Sequence, residues 1–375
     1  MANILKFIVF LAIVIAIGTF AVNFYFGNLL TPQGGFFVST DAGATWKKTG
    51  LLDAGGNINR LDVLDIVSNP KDSRILYAST MSGILKSVDG GEVWHRLEDK
   101  NKVLSPRANV FDLAADPRFP DYKKNVPDQF YLAVYQNDYG RVLKTKDGGV
   151  SFKEVYITSR AKVAVFDVAV DSNRPNIVWL ATGEGTLLKS QDYGETWRLV
   201  QEFGRPINYL IINPRNTGQM LVTTFSGGIF TSPDGGATWV DDSEGLKSFT
   251  QARYIENLVY NPADGFVYLA SRFGLLRSAD FGLAWQAVDI IFPNDVLPIT
   301  DIAWGGAGSR NVYVSAGNFI YASQDGGKFW QVRKLGASKK IRALWVDPED
   351  PHKVIAGAGS AGKSLNQRSL LVLPH

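Results

Sequence analysis

The stretch SPDGGATW at residues 232–239 is a short polar turn closed by a tryptophan, and six near-copies of it occur along the chain. They read STDAGATW (39–46), SVDGGEVW (87–94), TKDGGVSF (145–152), SQDYGETW (190–197), SADFGLAW (278–285) and SQDGGKFW (323–330). Their aspartates, Asp41, Asp89, Asp147, Asp192, Asp234, Asp280 and Asp325, follow at intervals of 48, 58, 45, 42, 46 and 45 residues. A period of that length marks a supersecondary unit written seven times rather than one irregular domain.

Working outward from each turn, the same grammar repeats. Leading apolar runs read LDIVSNP, FDLAADP, FDVAVDS, NYLIINP, ENLVYNP, TDIAWGG and RALWVDP. A second run follows (ILYAST, FYLAVY, IVWLAT and their equivalents), then a Gly-led third such as GILKS or GGIFTS. The Asp turn reverses the chain into a fourth run that begins at Trp46, Trp94, Phe152, Trp197, Trp239, Trp285 or Trp330. Short β-branched and aromatic runs bounded by Gly, Pro, Asn and Asp are strand signals, and no stretch after residue 30 has a helical period. Four antiparallel strands per unit, seven times over, predict an all-β seven-bladed propeller at 34–375. The first turn lacks two upstream strands and the C-terminal KIRALWVDP…KVIAGAG supplies two without a turn after them. Pairing these ends into one blade closes the ring and leaves no open edge.

In each turn the glycines supply positive φ, and the carboxylate and the Ser or Thr hydroxyl accept backbone N–H bonds. The aromatic that follows is expected to lie between neighbouring blades. The turn is therefore read as structural. None of the seven has the alternating oxygen ligands of a calcium loop, and His95, His352 and His375 make no metal pattern, so no metal or cofactor is expected.

Composition narrows the function classes. The chain has 375 residues, 45% hydrophobic and 12% aromatic, with 39 Lys+Arg against 36 Asp+Glu and no cysteine. A net charge of +3 argues against a nucleic-acid partner. Without cysteine there is no disulfide, thiolate nucleophile or lipoprotein anchor. Residues 7–22 (FIVFLAIVIAIGTFAV) carry no charge, and the apolar run continues to Leu30, long enough to span a bilayer. Lys6 precedes the run and the next cation is Lys47. This predicts a single-pass anchor at 1–33 with its N-terminus inside and the propeller extracytoplasmic, a cleaved signal peptide being the alternative.

The turn is similar to the Asp-box (BNR) repeat, S-x-D-x-G-x-T-W, and the resemblance covers essentially all of residues 34–375. Such repeats occur in sialidases, xyloglucan-cleaving enzymes, sortilin-type receptors and the Ycf48/Hcf136-like photosystem II assembly factors. In these families the box is peripheral and not catalytic. The chain has no F/Y-R-I-P motif of a sialidase (GRPI at 204–207 has the wrong order) and one propeller rather than the two of the xyloglucan enzymes. Carboxylates such as Asp62, Asp65, Glu184 and Asp301 are the candidates for a glycosidase pair; they come from different units, so their convergence is a matter for the fold and not for spacing in sequence.

The single-propeller Ycf48/Hcf136-like group is the best match, and it implies an assembly or stability factor. A basic residue recurs ahead of the leading strands, at Arg60, Arg107, Arg160, Arg205, Arg253, Lys340 and Arg342, beside Lys339, with Asp295 in the sixth unit instead, and is expected to form a partner-binding ring; by the resemblance Arg60, Arg107, Arg160, Arg205 and Arg253 are the docking residues. Pairing of these cations with the strand-entry acids Asp65, Asp112, Asp167 and Asp301 is the competing reading. Hairpin tips Met81, Tyr139, Phe225 and Phe273 are expected on the same face. The insertion at 117–129 is expected on the opposite one. The partner implied is a membrane protein or an acidic segment, with no chemistry performed; the alternative is a glycan-binding or glycan-cleaving propeller.

Overall fold

The computed structural model describes residues 34–49, 51–52, 58–118, 128–290, 297–306 and 308–360. The apolar stretch at 7–22, Asp295 and most of the 117–129 insertion lie outside the described residues. Among the described residues no helix is long and apolar enough to cross a membrane.

Seven antiparallel sheets are arranged so that each innermost strand packs on the next and the last packs on the first. The innermost strands are Lys340–Val346, Val63–Asn69, Asn109–Ala115, Val165–Val170, Ile207–Ile212, Ile255–Tyr260 and Ile299–Trp304, for blades one to seven. Blade one combines the two ends of the chain: Gly35–Ser39 pairs antiparallel with Val354–Gly359, register Phe37↔Ala356. Six sheets have four strands. The second has a fifth, because Leu51–Leu52 adds in parallel to Val93–Arg96 on its outer edge. Helical structure among the described residues is limited to two single 3₁₀ turns, Ile58–Arg60 and Ser243–Leu246.

The repeated turns show why their spelling is so constrained. Ser232 Oγ donates to Asp234 Oδ1 at 2.9 Å and accepts the Gly236 N–H at 2.9 Å. Asp234 in turn accepts the N–H and the hydroxyl of Thr238 at 2.8 and 2.6 Å. The Thr238 bonds, chiefly the hydroxyl, hold the Asp234 carboxyl down at about 2; Asp41 and Asp192 are held there in the same way. Two successive residues have positive φ. The first accepts other side chains, as Ala42, Tyr193 and Phe281 do, while the second is always Gly. At the second position a Cβ on Gly236 would stand 2.8 Å from Trp179 of the preceding blade. The closing aromatics do work between blades: Trp94 stacks on Phe36 of blade one with centroids 4.2 Å apart. Trp197 Nε1 donates to the Val155 carbonyl of blade three at 2.9 Å.

Each innermost strand carries a β-bulge near its start, between Val63 and Asp65 in blade two and at the equivalent place in all seven. A bulge leaves a backbone group without its ladder partner. The neighbouring blade's acid takes it up. Val168 N–H donates to Asp112 Oδ2 at 2.9 Å, Leu210 N–H to Asp167 Oδ2 at 3.3 Å, and Leu344 N–H to Asp301 Oδ2 at 2.6 Å. The acids of the LDIV, FDLA, FDVA and TDIA strands are thus bound into the wall of the ring, and three of them join one blade to the next.

Candidate binding face and central channel

Because every blade is an antiparallel meander, two kinds of link emerge on one face, here called the entry face. They are the link into each innermost strand and the hairpin between its second and third strands. The Asp turns emerge on the other face. The expected basic ring divides on this face into three groups. Arg60, Arg107, Arg205 and Lys340 are exposed, and none has a side-chain partner among the described residues. Arg160 and Arg253 are exposed but engaged. Arg160 Nε reaches Glu184 Oε1 at 2.7 Å, and Arg253 lies 5.0 Å over the Tyr254 ring and donates to its hydroxyl. An ion pair as open as Arg160–Glu184 is worth only about 0–1 kcal/mol, so a ligand could displace it.

Lys339 and Arg342 do not belong to an exposed ring. Lys339 is buried and its Nζ donates to the Leu61 carbonyl at 3.1 Å and to Asp62 Oδ1 at 2.9 Å. It latches the last blade connection onto the segment entering blade two. Arg342 is 6% exposed and its Nη1 donates to Glu256 Oε2 at 2.7 Å, reaching from blade one past blade seven to blade six. It sits at the bulge position of its strand, alongside Phe111, Phe166, Glu256 and Thr300, and not in the preceding loop. That placement was visible in the sequence, since RALW aligns with FDLA and ENLV.

The hairpin tips are half-buried rather than projecting. Met81 and Phe225, with Leu64 and Tyr135, pack on Phe111, Ala164 and Phe166. Phe166 meets Phe111 and Phe225 edge-on, with centroids 5.1 and 5.0 Å apart. Phe273 packs against Phe249 with centroids 5.2 Å apart, and Tyr139 is partly covered in its strand. On the side of blades two to five the entry face therefore carries an apolar cluster near Arg60, Arg107 and Arg205.

Inside the ring lies a cavity of about 330 Å³, lined by Asp65, Asp112, Asp167, Glu256, Asn257 and Arg342 among others. Asp301 is tied to this lining through Asn257, whose amide it accepts at 2.6 Å, and it also accepts the Ile302 N–H at 2.7 Å. Burial pushes this carboxyl up to about 7 in spite of those bonds. The carboxylates weighed in sequence as glycosidase candidates are each engaged. Asp62 receives Lys339 and the Ser360 N–H, Glu184 receives Arg160, Asp65 accepts the Ile66 N–H, and Asp301 holds the bonds above.

Comparison with known proteins gives two kinds of relative. No family model matches the sequence. Xyloglucanase Xgh74A of Acetivibrio thermocellus is 26% identical over 267 residues, 58% of this chain and 30% of the enzyme. The chloroplastic photosystem II stability/assembly factor HCF136 of Arabidopsis thaliana is 25% identical over 183 residues, 45% of this chain and 41% of that protein. The chain thus spans well under two thirds of the length of the curated relatives it matches. Among solved structures, a GH74 xyloglucanase from Xanthomonas campestris aligns with a TM-score of 0.62 at 17% identity, over 80% of this chain and 51% of that one. A structure of YCF48 bound to D1 peptide aligns with a TM-score of 0.59 at 16% identity, over 80% and 93%. At these identities the structural likeness is that of the seven-bladed propeller fold.

Proposed function

We propose that the propeller is a non-catalytic binding module that docks a carboxylate-bearing protein segment on its entry face. The observation that carries this reading is the set of exposed cations without side-chain partners among the described residues, Arg60, Arg107 and Arg205, placed beside a half-buried apolar cluster. Arginine beside aromatic surface is what protein interfaces enrich, and an unpaired guanidinium presents a fork that suits a carboxylate. The likeness to a photosystem II assembly factor, and to a propeller solved with a D1 peptide, supports a client from a membrane protein complex. In the same reading the apolar stretch at 7–22 tethers the propeller outside the cytoplasm; a protease added to intact cells would then reach it.

The xyloglucanase relatives favour a second reading, a propeller that binds or cleaves a glucan. Against it stand the engaged carboxylates. The two readings separate in one experiment. The R60Q/R107Q/R205Q variant is compared with wild type for capture of membrane-extract proteins, and both are assayed for release of reducing ends from xyloglucan. The docking reading expects client affinity to fall by about 2–5 kcal/mol with a weaker salt dependence and little change in melting temperature. Xyloglucan cleavage by wild type, or unaltered capture by the variant, would sink it.

A further inference from the structure

The central channel holds a feature that docking on the entry face leaves unused. Arg342 is buried, yet of its donors only Nη1 is engaged, by Glu256; Nε and Nη2 have no hydrogen-bond partner. A guanidinium with two unpartnered nitrogens, three N–H groups in all, is costly to bury, and an acceptor in the cavity would offset that cost. Arg342 faces the cavity of about 330 Å³, large enough for a small organic ligand. The rest of that lining decides the ligand's chemistry. Asp65, Asp112 and Asp167 enter it from blades two, three and four, and Glu256 offsets part of the arginine's charge. A plain anion would meet Arg342 but also the field of these acids. A plain cation would suit the acids but leave the arginine's donors empty. Only a ligand with both charges answers the whole lining.

We propose that the central channel is a binding site for a small zwitterion of the α-amino-acid class. Its carboxylate accepts from Arg342 Nε and Nη2, and its ammonium faces the acids of blades two to four. Asp112 and Asp167 keep their bonds to the neighbouring blades' N–H groups and act through their charge. Thr300 and Asn257 lie in the same lining and give the site polar neighbours. The site is separate from Arg60, Arg107 and Arg205, so it stands or falls independently of client docking.

The test uses the full chain and ligand-observed saturation-transfer NMR with a mixture of the twenty common L-amino acids, then with propionate and ethylamine as single-charge controls. Transfer to at least one amino acid is expected, with propionate and ethylamine at least about tenfold weaker. R342Q alone would strand Glu256, so the paired variant R342Q/E256Q removes the guanidinium without leaving a buried charge. It is expected to abolish the signal. D65N, which keeps an acceptor oxygen while removing a charge, is expected to weaken binding about tenfold or less. The R60Q/R107Q/R205Q variant should bind as wild type does. Absence of transfer to any amino acid, persistence of the signal in R342Q/E256Q, or equal binding of propionate would overturn the proposal.

Discussion

Replacing Asp301 by Ala should destabilise the ring, and by an amount that shrinks as pH rises. The carboxyl joins blade seven to blade one through the Leu344 N–H at 2.6 Å, and it also takes the Asn257 amide and the Ile302 N–H. Leu344 is buried, so its N–H cannot turn to water, and an unsatisfied buried donor costs about 1–3 kcal/mol. Asn257 lines the cavity and can be rehydrated, so its loss adds less. Together the penalty near pH 5 is about 2–4 kcal/mol. The wild-type side of the difference depends on pH. The carboxyl is at about 7 in the fold against 3.8 as an ordinary aspartate, so between those values the folded state holds the extra proton. Wild-type stability from this group is therefore greatest at low pH and declines as pH rises through about 7. At about 1.4 kcal/mol per tenfold change in proton activity, the decline from pH 5 to pH 8 is about 2–3 kcal/mol. The alanine variant has no such term. Urea unfolding of both proteins at pH 5, 6, 7 and 8, read as the difference between them, cancels the titrations they share. The penalty should fall toward about 1 kcal/mol or less at pH 8. A penalty that is constant or grows with pH would refute the account of this site.

Two glycines separate strain from contact: G235A, with open space around its Cβ, should cost about 1–2 kcal/mol for the left-handed conformation, whereas G236A also meets Trp179 and should cost more. Melting temperatures check the order, and equal losses would remove the argument for close blade approach. Truncating Glu256 to Ala should cost about 3–5 kcal/mol by stranding Arg342, while R342M/E256M should come much closer to wild type in chemical denaturation. Acid should loosen the Asp turns: carboxyls held at about 2 stabilise the fold above the ordinary aspartate range, and that contribution is lost as pH falls through about 2. Circular dichroism on titration from pH 5 to 2 should show D41N/D192N/D234N losing less of its stability over that interval than wild type.

The propeller was legible because its signal is redundant. Seven turns fix the period, and the spelling of each turn follows from hydrogen bonds within eight residues. The unpaired first turn and the orphan last strands required the closing blade. The candidate face was only half legible, because Arg107 and Arg342 both read as cations near the start of an innermost strand until RALW is aligned with FDLA and ENLV. One lies in the loop and points out; the other lies at a bulge and points into the channel. Its partner Glu256 is 86 residues away, a pairing no local pattern carries. The strand-entry acids were weighed as counterions to the arginines. Asp112, Asp167 and Asp301 bond N–H groups beside the next blade's bulge, and bulges leave no mark in a pattern of apolar runs. The hairpin tips read as projections because Met, Tyr and Phe between strands look exposed in sequence. Met81 and Phe225 instead pack on Phe111, Ala164 and Phe166.

The central claim, a protein segment docked on the entry face, is tested most directly by a photo-crosslinking amino acid placed at Arg107 on that face and, separately, at Gly235 on the turn face. Illumination of cells followed by sequencing of the adducts reads which face the partner touches and what it is. The account predicts adducts to an acid-containing protein segment from position 107, lost when Arg60 and Arg205 are changed to Gln and absent from position 235. Adducts formed only from position 235, or adducts at position 107 to glucan rather than protein, would contradict it.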